Sequence, residues 1–317
     1  MTLRTAIDQY IDWQRARGAI FASPANLLRR FSRTVGDALD CDAVSSDQAA
    51  AFIEGQGAAT NYCYQKHRTL TGFYRYALAR DLASRSPVPP QTPRRFPSKP
   101  PYIYSPDEVR RLLDATSTYR QRVRQLEPHT LRALVLLLYG TGLRRGEAQR
   151  LRLADVDLPA ALLTVRQTKF FKSRLVPLAP PLVRALQQYA VRRTAGGASQ
   201  LEAAAFLVNR DGRPLARSTL HEAFAQLRRA AGVGSEDLSC QPRLHDLRHT
   251  FAVERLTQWY RQSKDVQRLL PLLSTYLGHA SVAATQVYLQ MTPELLRQAC
   301  KRFERYAAGD GGGRHGC

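Results

Sequence analysis

The sequence predicts a mainly α-helical protein with a small antiparallel sheet (α+β), divided into two domains by a proline-rich linker. Residues 87–101 contain seven prolines in fifteen positions, a composition that can neither continue a helix nor lie inside a sheet. Helical periodicity dominates on both sides of this segment, and only short stretches near the middle of the chain favour strands. We therefore expect a helical N-terminal domain at 1–86, the linker at 87–101, a larger domain at 102–307 and a flexible tail at 308–317.

Apolar residues recur at helical spacing in four places before the linker. Leu3, Ile7 and Ile11 lie on one face of the first predicted helix, because residues four apart share a face. The other three helices are predicted around 27–35, around 50–53 and over 59–81.

The second domain begins with a strong helix start at Ser105, which is followed by a proline and two acids. A buried helix is predicted at 129–139 and ends at glycines. Two short strands follow at 161–166 and 174–178, and the pattern at 205–209 favours a third. The remaining helices are expected at 218–231, 244–260, 264–277, 281–289 and 293–306.

The charge of the chain is strongly positive, with 47 Lys and Arg against 26 Asp and Glu and a net charge of +21. Such an excess indicates a polyanionic partner, of which nucleic acid is the first candidate and an anionic membrane surface the second. An arginine-rich genome is the alternative explanation. No apolar run approaches the roughly 20 residues of a membrane span. The five cysteines are scattered, which is typical of a cytoplasmic protein without a zinc site.

Residues 62–100 carry eight Lys or Arg against one acid, Asp81. A solvated helix face usually mixes charges of both signs, so this stretch predicts contacts with a phosphate backbone. Part of these charges can equally serve solubility. The residues expected to contact DNA are Lys66, Arg68, Arg75, Arg94 and Arg95, together with Lys172 of the second domain.

Three short basic clusters carry the chemistry of the second domain: 141–147 (TGLRRGE), 245–249 (HDLRH) and 277–279 (LGH), the last followed by Tyr288. Arginine forks bind phosphate oxygens and stabilise the charge of a phosphoryl-transfer transition state. Tyrosine can form a covalent intermediate, and lysine can protonate a leaving alkoxide. The sequence holds no carboxylate cluster for magnesium and no ATP-binding loop. This set favours phosphoryl transfer through a tyrosine, with no metal and no cofactor.

In this order, TGLRRGE, TKFFKSRLVPL, HDLRHTFA and LGHASVAATQVY resemble the catalytic signature of the tyrosine recombinases, the phage-integrase family. The resemblance covers 102–306 and, more loosely, 1–85, which is similar to the family's core-binding domain. It implies that Tyr288 is the nucleophile and that Glu147 orients an arginine. The other catalytic residues that it implies are Arg144, Lys169, His245, Arg248 and His279.

Several alternatives stay open. Lys172 competes with Lys169 as general acid because phenylalanines replace the usual glycine of this turn, and the stretch 255–272 is longer than usual in the family. Glu147 can be a surface acid and His249 a packed or surface histidine. Tyr276 competes with Tyr288, but its leucine neighbours indicate the core, whereas Tyr288 is expected on an exposed face.

By resemblance, the protein is expected to clamp double-stranded DNA and to act as a homotetramer on two DNA sites, with or without sister recombinases or accessory proteins. The family implies site-specific recombination through a 3′-phosphotyrosyl intermediate. A mobile-element integrase is favoured over a Xer-type resolvase of chromosome or plasmid dimers. A type IB topoisomerase and a non-catalytic DNA-binding protein are the further alternatives.

Overall fold

The computed structural model describes residues 1–19, 21–96, 100–119, 126–166, 173–234, 241–279 and 281–290, with Arg297 and Cys300. These residues form two compact units, one that ends at residue 96 and one that begins at residue 100. Each unit has its own hydrophobic core. The predicted tail at 308–317 lies outside the described residues, as does most of the predicted helix at 293–306.

The first unit is helical, and Leu3, Ile7 and Ile11 are fully buried on one face of its first helix, as their spacing predicts. Its long fourth helix packs against the other three. The proline-rich segment is held to this fourth helix at Phe96, because the Asn61 amide exchanges two hydrogen bonds with the Phe96 backbone. The helices are α1 (Leu3–Ala16), α2 (Ala22–Val35), α3 (Ser46–Glu54) and α4 (Asn61–Leu78).

The second unit combines helices with a three-stranded sheet. Its first helix starts where the sequence predicts, since Ser105 and Glu108 form a capping box at its N-terminus. The elements are α5 (Pro106–Ala115), α6 (Pro128–Thr141), α7 (Arg145–Arg150), β1 (Val156–Asp157), β2 (Leu162–Val165), β3 (Arg174–Pro177), α8 (Pro180–Ala195), α9 (Arg217–Ala230), α10 (Asp246–Arg261), α11 (Val266–Leu277) and α12 (Ala283–Gln286).

Helix α6 lies at the centre of this unit. Leu131, Leu134, Val135 and Leu138 are at most 1% exposed, and the helix packs between α8 and α10. A helix that is apolar on nearly every side must be covered on nearly every side. This burial fixes the position of the C-terminal end of α6, from which the first basic cluster follows.

The sheet is antiparallel, in the order β1-β2-β3. Leu163 pairs with Val176 and both are fully buried, whereas Leu175, between the inward positions of β3, is 61% exposed. This alternation is that of a sheet with one face on the core. The register also pairs Arg174, at the start of β3, with Val165 at the end of β2.

Several elements of the structure differ from those that the sequence predicts. The predicted strand at 205–209 is wrong, because this segment makes only isolated bridges, Ala205 with Arg152 and Val208 with Pro214. The predicted elements also omit α7, β1 and α8, although α8 has a proline start and ends at glycine. The predicted helix at 281–289 is shorter, since α12 passes into a 3-10 turn at Val287–Gln290. Among the described residues, no helix is both long and apolar enough to cross a membrane.

Candidate active site

Arg144 owes its position to the tight end of helix α6. Gly142 closes this helix with a left-handed φ of 62°, a conformation that glycine adopts at little cost. A Cβ atom at Gly142 would lie 2.6 Å from Phe251 and 2.9 Å from Leu277. Glycine therefore permits both the turn and the close approach of α10 and α11. Two residues later, Arg144 is the N-cap of α7.

Glu147 is a buried carboxylate shared by two arginines. Its side chain is only 3% exposed. It accepts hydrogen bonds from the backbone N and the Nη1 of Arg144, both at 2.9 Å. Arg174 donates to the same carboxylate through Nη1 at 3.2 Å and Nη2 at 2.8 Å. Burial alone would raise the pKa of Glu147, but the hydrogen bonds and charges of Arg174 and Arg144 hold it at about 2. The carboxylate is thus ionised and fixes both guanidinium groups.

Arg248 lies in the first turn of α10 and is 2% exposed. Its Nη1 donates to the Gly142 carbonyl at 2.6 Å and its Nη2 to the Leu277 carbonyl at 2.8 Å. Burial, followed by repulsion from Arg144, lowers the pKa of Arg248 to about 10. A buried cation that has no ion pair among the described residues and lies beside another cation is costly, and a bound anion would lower this cost.

The end of helix α11 brings the arginines together. Arg144 donates to the Gly278 carbonyl at 2.7 Å, and Arg174 donates to the Tyr276 carbonyl at 2.7 Å. A Cβ atom at Gly278 would lie 2.7 Å from Nη1 of Arg174 and 3.4 Å from Nη1 of Arg144. Gly278 therefore leaves the space that the two guanidinium groups occupy.

Tyr288 lies beside Arg248 and is 3% exposed. The expectation that it occupies an exposed face is wrong, since its ring packs beside His249 at 5.5 Å and His279 at 6.0 Å between centroids. Burial raises the pKa of Tyr288, while the charge and hydrogen bond of Arg248 and the charge of Arg144 oppose this rise. The phenol is therefore desolvated and faces cations that would stabilise its anion.

Three histidines lie near Tyr288: His249 and His279 pack against its ring, and His245 packs against His249. The His245 and His249 rings are 5.0 Å apart on successive turns at the start of α10. His279 Nδ1 is 2.7 Å from the Thr285 hydroxyl, which fixes its ring. The pKa of each histidine is lowered, by desolvation first, and that of His279 falls to about 4. All three imidazoles are therefore neutral at pH 7, so each can accept a proton at one nitrogen.

A family model described as the phage integrase family matches residues 103–294, which is more than half of the chain. The chain belongs to this family. An integrase/recombinase of Sinorhizobium fredii, y4rB, is 37% identical over 96% of this chain and 98% of that protein. The tyrosine recombinase XerD of Mycobacterium leprae is 30% identical over 93% of this chain and 95% of that protein. These relatives show that the protein is a site-specific tyrosine recombinase.

The fold is also that of solved phage integrases. A lambda integrase tetramer bound to a Holliday junction superposes with a TM-score of 0.62 and 18% identity, over 91% of this chain and 77% of that chain. The mainly helical architecture with a small antiparallel sheet is therefore the family's own, which confirms the predicted fold class.

Most of the residues that the sequence singles out for catalysis lie in one cluster of this integrase-family chain. They come from α7, from the start of α10 and from the segment that follows α11. Lys169 and Lys172 lie outside the described residues, so the choice between them stays a prediction. The residues brought together are Arg144, Glu147, His245, Arg248, His279 and Tyr288.

Two members of the cluster were not expected in these roles. Arg174 begins β3, as the sequence predicts, and it also forms half of the Glu147 ion-pair network. His249 is a packed histidine, one of the two predicted alternatives, and its ring lies between His245 and Tyr288, with no hydrogen-bond partner for its Nδ1 among the described residues. The sequence signals were present, since Arg174 stands in the segment that resembles the family and His249 is one turn after His245.

In the first unit, the expected contact of Lys66 with a DNA phosphate is wrong. Lys66 is only 4% exposed, and its amine donates to the carbonyls of Phe52 and Ile53 at 2.7 and 3.1 Å. It thus satisfies backbone carbonyls near the C-terminus of α3, as lysines at helix ends can. The other described candidates are exposed to solvent, and their DNA contacts remain predictions: Arg68, Arg75, Arg94 and Arg95.

Proposed function

We propose that this recombinase cuts and rejoins duplex DNA through a covalent 3′-phosphotyrosyl bond to Tyr288. The observation that carries the proposal is the buried phenol of Tyr288 against Arg248 and in the field of Arg144. Guanidinium groups beside a phenol can bind the nonbridging oxygens of a phosphodiester while the phenol oxygen attacks phosphorus. The Glu147 carboxylate, by fixing Arg144 and Arg174, would keep this arrangement ready before DNA binds.

In the proposed step, the Tyr288 oxygen forms a bond to phosphorus, and the bond from phosphorus to the 5′ oxygen breaks. A neutral imidazole of the site accepts the phenol proton, and a lysine of the turn, Lys169 with Lys172 as the alternative, protonates the departing 5′ oxygen. The phosphotyrosyl bond keeps the bond energy of the cut strand. Attack by the 5′-hydroxyl of a partner strand then reverses the chemistry and frees Tyr288, without ATP.

The proposed assembly is a homotetramer on two double-stranded DNA sites. It is supported by the likeness to the lambda integrase that forms a tetramer on a Holliday junction. The net charge of +21 supports tight binding to phosphate backbones. Exchange between two sites requires a paired complex, and a closed assembly is the usual form of a homo-oligomer.

The biological role that we favour is integration and excision of a mobile element. Identity is higher to the integrase/recombinase y4rB, at 37%, than to the XerD recombinase, at 30%. Resolution of chromosome or plasmid dimers is the second candidate, and the XerD likeness over 93% of this chain favours it.

The experiment uses duplexes selected from a random library for binding by the Tyr288→Phe protein, then placed on two plasmids. The wild-type protein is expected to join the plasmids at the selected sites, and the Tyr288→Phe protein is not. Relaxation of a supercoiled plasmid without exchange would indicate a topoisomerase instead. Binding without cleavage or relaxation by the wild-type protein would refute the catalytic proposal.

A further inference from the structure

A cavity of about 690 Å³ opens beside the catalytic cluster, and Arg144 and His245 belong to its lining. Three segments form its walls: the start of α7, one face of α9, and residues 241–245 before α10. Among the described residues, the lining includes no Asp or Glu. It does include four arginines besides Arg144: Arg145, Arg217, Arg228 and Arg243.

Two of these four arginines have protein partners that account for their position. Arg243 forms an ion pair with Asp246 at 2.9 Å, and Arg228 donates to the Gln241 side chain. Arg145 and Arg217 have no such partners, since neither forms an ion pair within the part of the chain that the structure describes. The buried Nε of Arg145 also makes no hydrogen bond to a described residue.

The pair Arg145 and Arg217 is electrostatically unfavourable as it stands. Burial, followed by repulsion from Arg217, lowers the pKa of Arg145. Helix α9 starts at Arg217 with no acid in its first turn and no side-chain cap. A helix N-terminus disfavours cations and attracts anions. A buried donor without an acceptor is costly as well. An anion in the cavity would reduce all of these costs together.

We propose that this cavity binds a second phosphodiester of the DNA strand, next to the one that Tyr288 attacks, with Arg145 and Arg217 as its ligands. The inference rests on the proposed function, because the cavity shares Arg144 and His245 with the catalytic cluster. A phosphate held here would fix the register of the strand, since phosphate contacts position a protein on DNA without reading its bases.

The volume and lining of the cavity fit a nucleotide better than an isolated inorganic ion. Its volume lies within the range of pockets for small organic ligands, roughly 300–1,000 Å³. His221 and Phe224 line it on the same face of α9 as Arg217, and apolar or aromatic surface can pack against the sugar that accompanies the phosphate. The two arginine forks provide the planar donor pairs that phosphate oxygens accept.

The test uses the Tyr288→Phe background, in which DNA can bind without being cut. Arg145→Ala and Arg217→Ala are compared with Arg229→Ala, an exposed arginine of the same helix that does not line the cavity. With the selected duplex, each cavity variant is expected to reduce the slope of log affinity against log salt by about 0.9. Arg229→Ala is expected to leave the slope unchanged, and thermal unfolding confirms that each variant is folded.

A second measurement locates the phosphate. The probe is the same duplex with one uncharged methylphosphonate next to the cleavage point, placed on each side in turn. One of these substitutions is expected to weaken DNA binding by the arginine-intact protein about tenfold, the size of one such charged contact. The same substitution is expected not to weaken DNA binding by the Arg145→Ala or Arg217→Ala proteins any further. Additive losses for both placements would overturn the proposal, as would salt slopes equal to that of Arg229→Ala.

Failure of this inference is distinguishable from failure of the proposed function. If the wild-type protein still forms the covalent DNA adduct while the cavity variants bind like Arg229→Ala, only the second phosphate site is refuted. If the wild-type protein forms no adduct on DNA that it binds, the proposed function itself is refuted.

Discussion

Replacing Glu147 with Gln should disable the recombinase even though Glu147 need not touch DNA. The change keeps the volume of the side chain but removes its charge and turns one acceptor oxygen into a donor. Four hydrogen bonds converge on this carboxylate, two from Arg144 and two from Arg174. The amide would face guanidinium N–H groups with N–H groups of its own, so at least one arginine must move.

The structure sets the expected magnitude. The carboxylate is 3% exposed and the Arg174 side chain 11%, and breaking a buried ion pair on one side costs about 3–5 kcal/mol. We expect a loss of this size in the free energy of unfolding. Displacement of Arg144 should remove one transition-state contact, and loss of a comparable oxyanion donor lowers rates by about 10²–10³.

Two assays test these values, urea unfolding and single-turnover adduct formation on nicked DNA. The matched control is Asp107→Asn, which breaks the Arg110–Asp107 pair, also three residues apart but 68% and 79% exposed. Exposed pairs contribute little, so this control should retain both stability and rate. Glu147→Asp keeps the charge, so its free energy of unfolding and its rate of adduct formation should lie between those of Glu147→Gln and the wild type. Equal losses of stability and of rate in Glu147→Gln and Asp107→Asn would refute the reasoning.

Three further predictions concern single side chains. Lys66→Met should destabilise the protein by about 1–3 kcal/mol, because two carbonyls lose a charged donor. It should leave the salt slope of DNA binding unchanged, whereas Arg68→Ala should reduce that slope by about 0.9. The opposite pattern would restore Lys66 to the DNA-contact surface. Lys169→Ala should cut normal DNA slowly but cut DNA with a bridging 5′ sulfur at a near-normal rate, since sulfur leaves without a proton; rescue of Lys172→Ala instead would reassign the general acid. The pKa of His279 is about 4 in the folded protein, below its unfolded value of about 6.5. The contribution of His279 to the free energy of unfolding should therefore be fully present above pH 6.5 and be lost as the pH drops towards 4. An equal loss of stability over this range in His279→Gln would contradict this.

Local chemistry carried the predictions that succeeded. The cap at Ser105 fixed the start of α5, and the glycine after α6 fixed its end. Both signals act within a few residues, so they can be read from sequence. The apolar spacing of the first helix predicted its buried face for the same reason.

The predictions that failed depended on contacts between distant residues. Lys66 bonds carbonyls 13 and 14 residues away, which no charge count can reveal. Arg174 reaches Glu147 across 27 residues, so its role in the ion-pair network emerges only in the folded structure. The polar neighbours of Tyr288 predict an exposed ring, but the histidines of α10 and of the segment after α11 cover it.

The central claim, that Tyr288 is the nucleophile, is tested most directly by trapping the covalent intermediate. Nicked duplex DNA, from which the cleaved end diffuses away, should leave the wild-type protein linked to DNA in a band that survives boiling in SDS. Tyr288→Phe removes one oxygen and should give no such band while still shifting the same DNA in a native gel. Tyr276→Phe is the control and should form the adduct, because Tyr276 packs on Phe251 at 5.6 Å between centroids, in the core. An adduct with Tyr288→Phe, or its absence with Tyr276→Phe, would contradict the assignment.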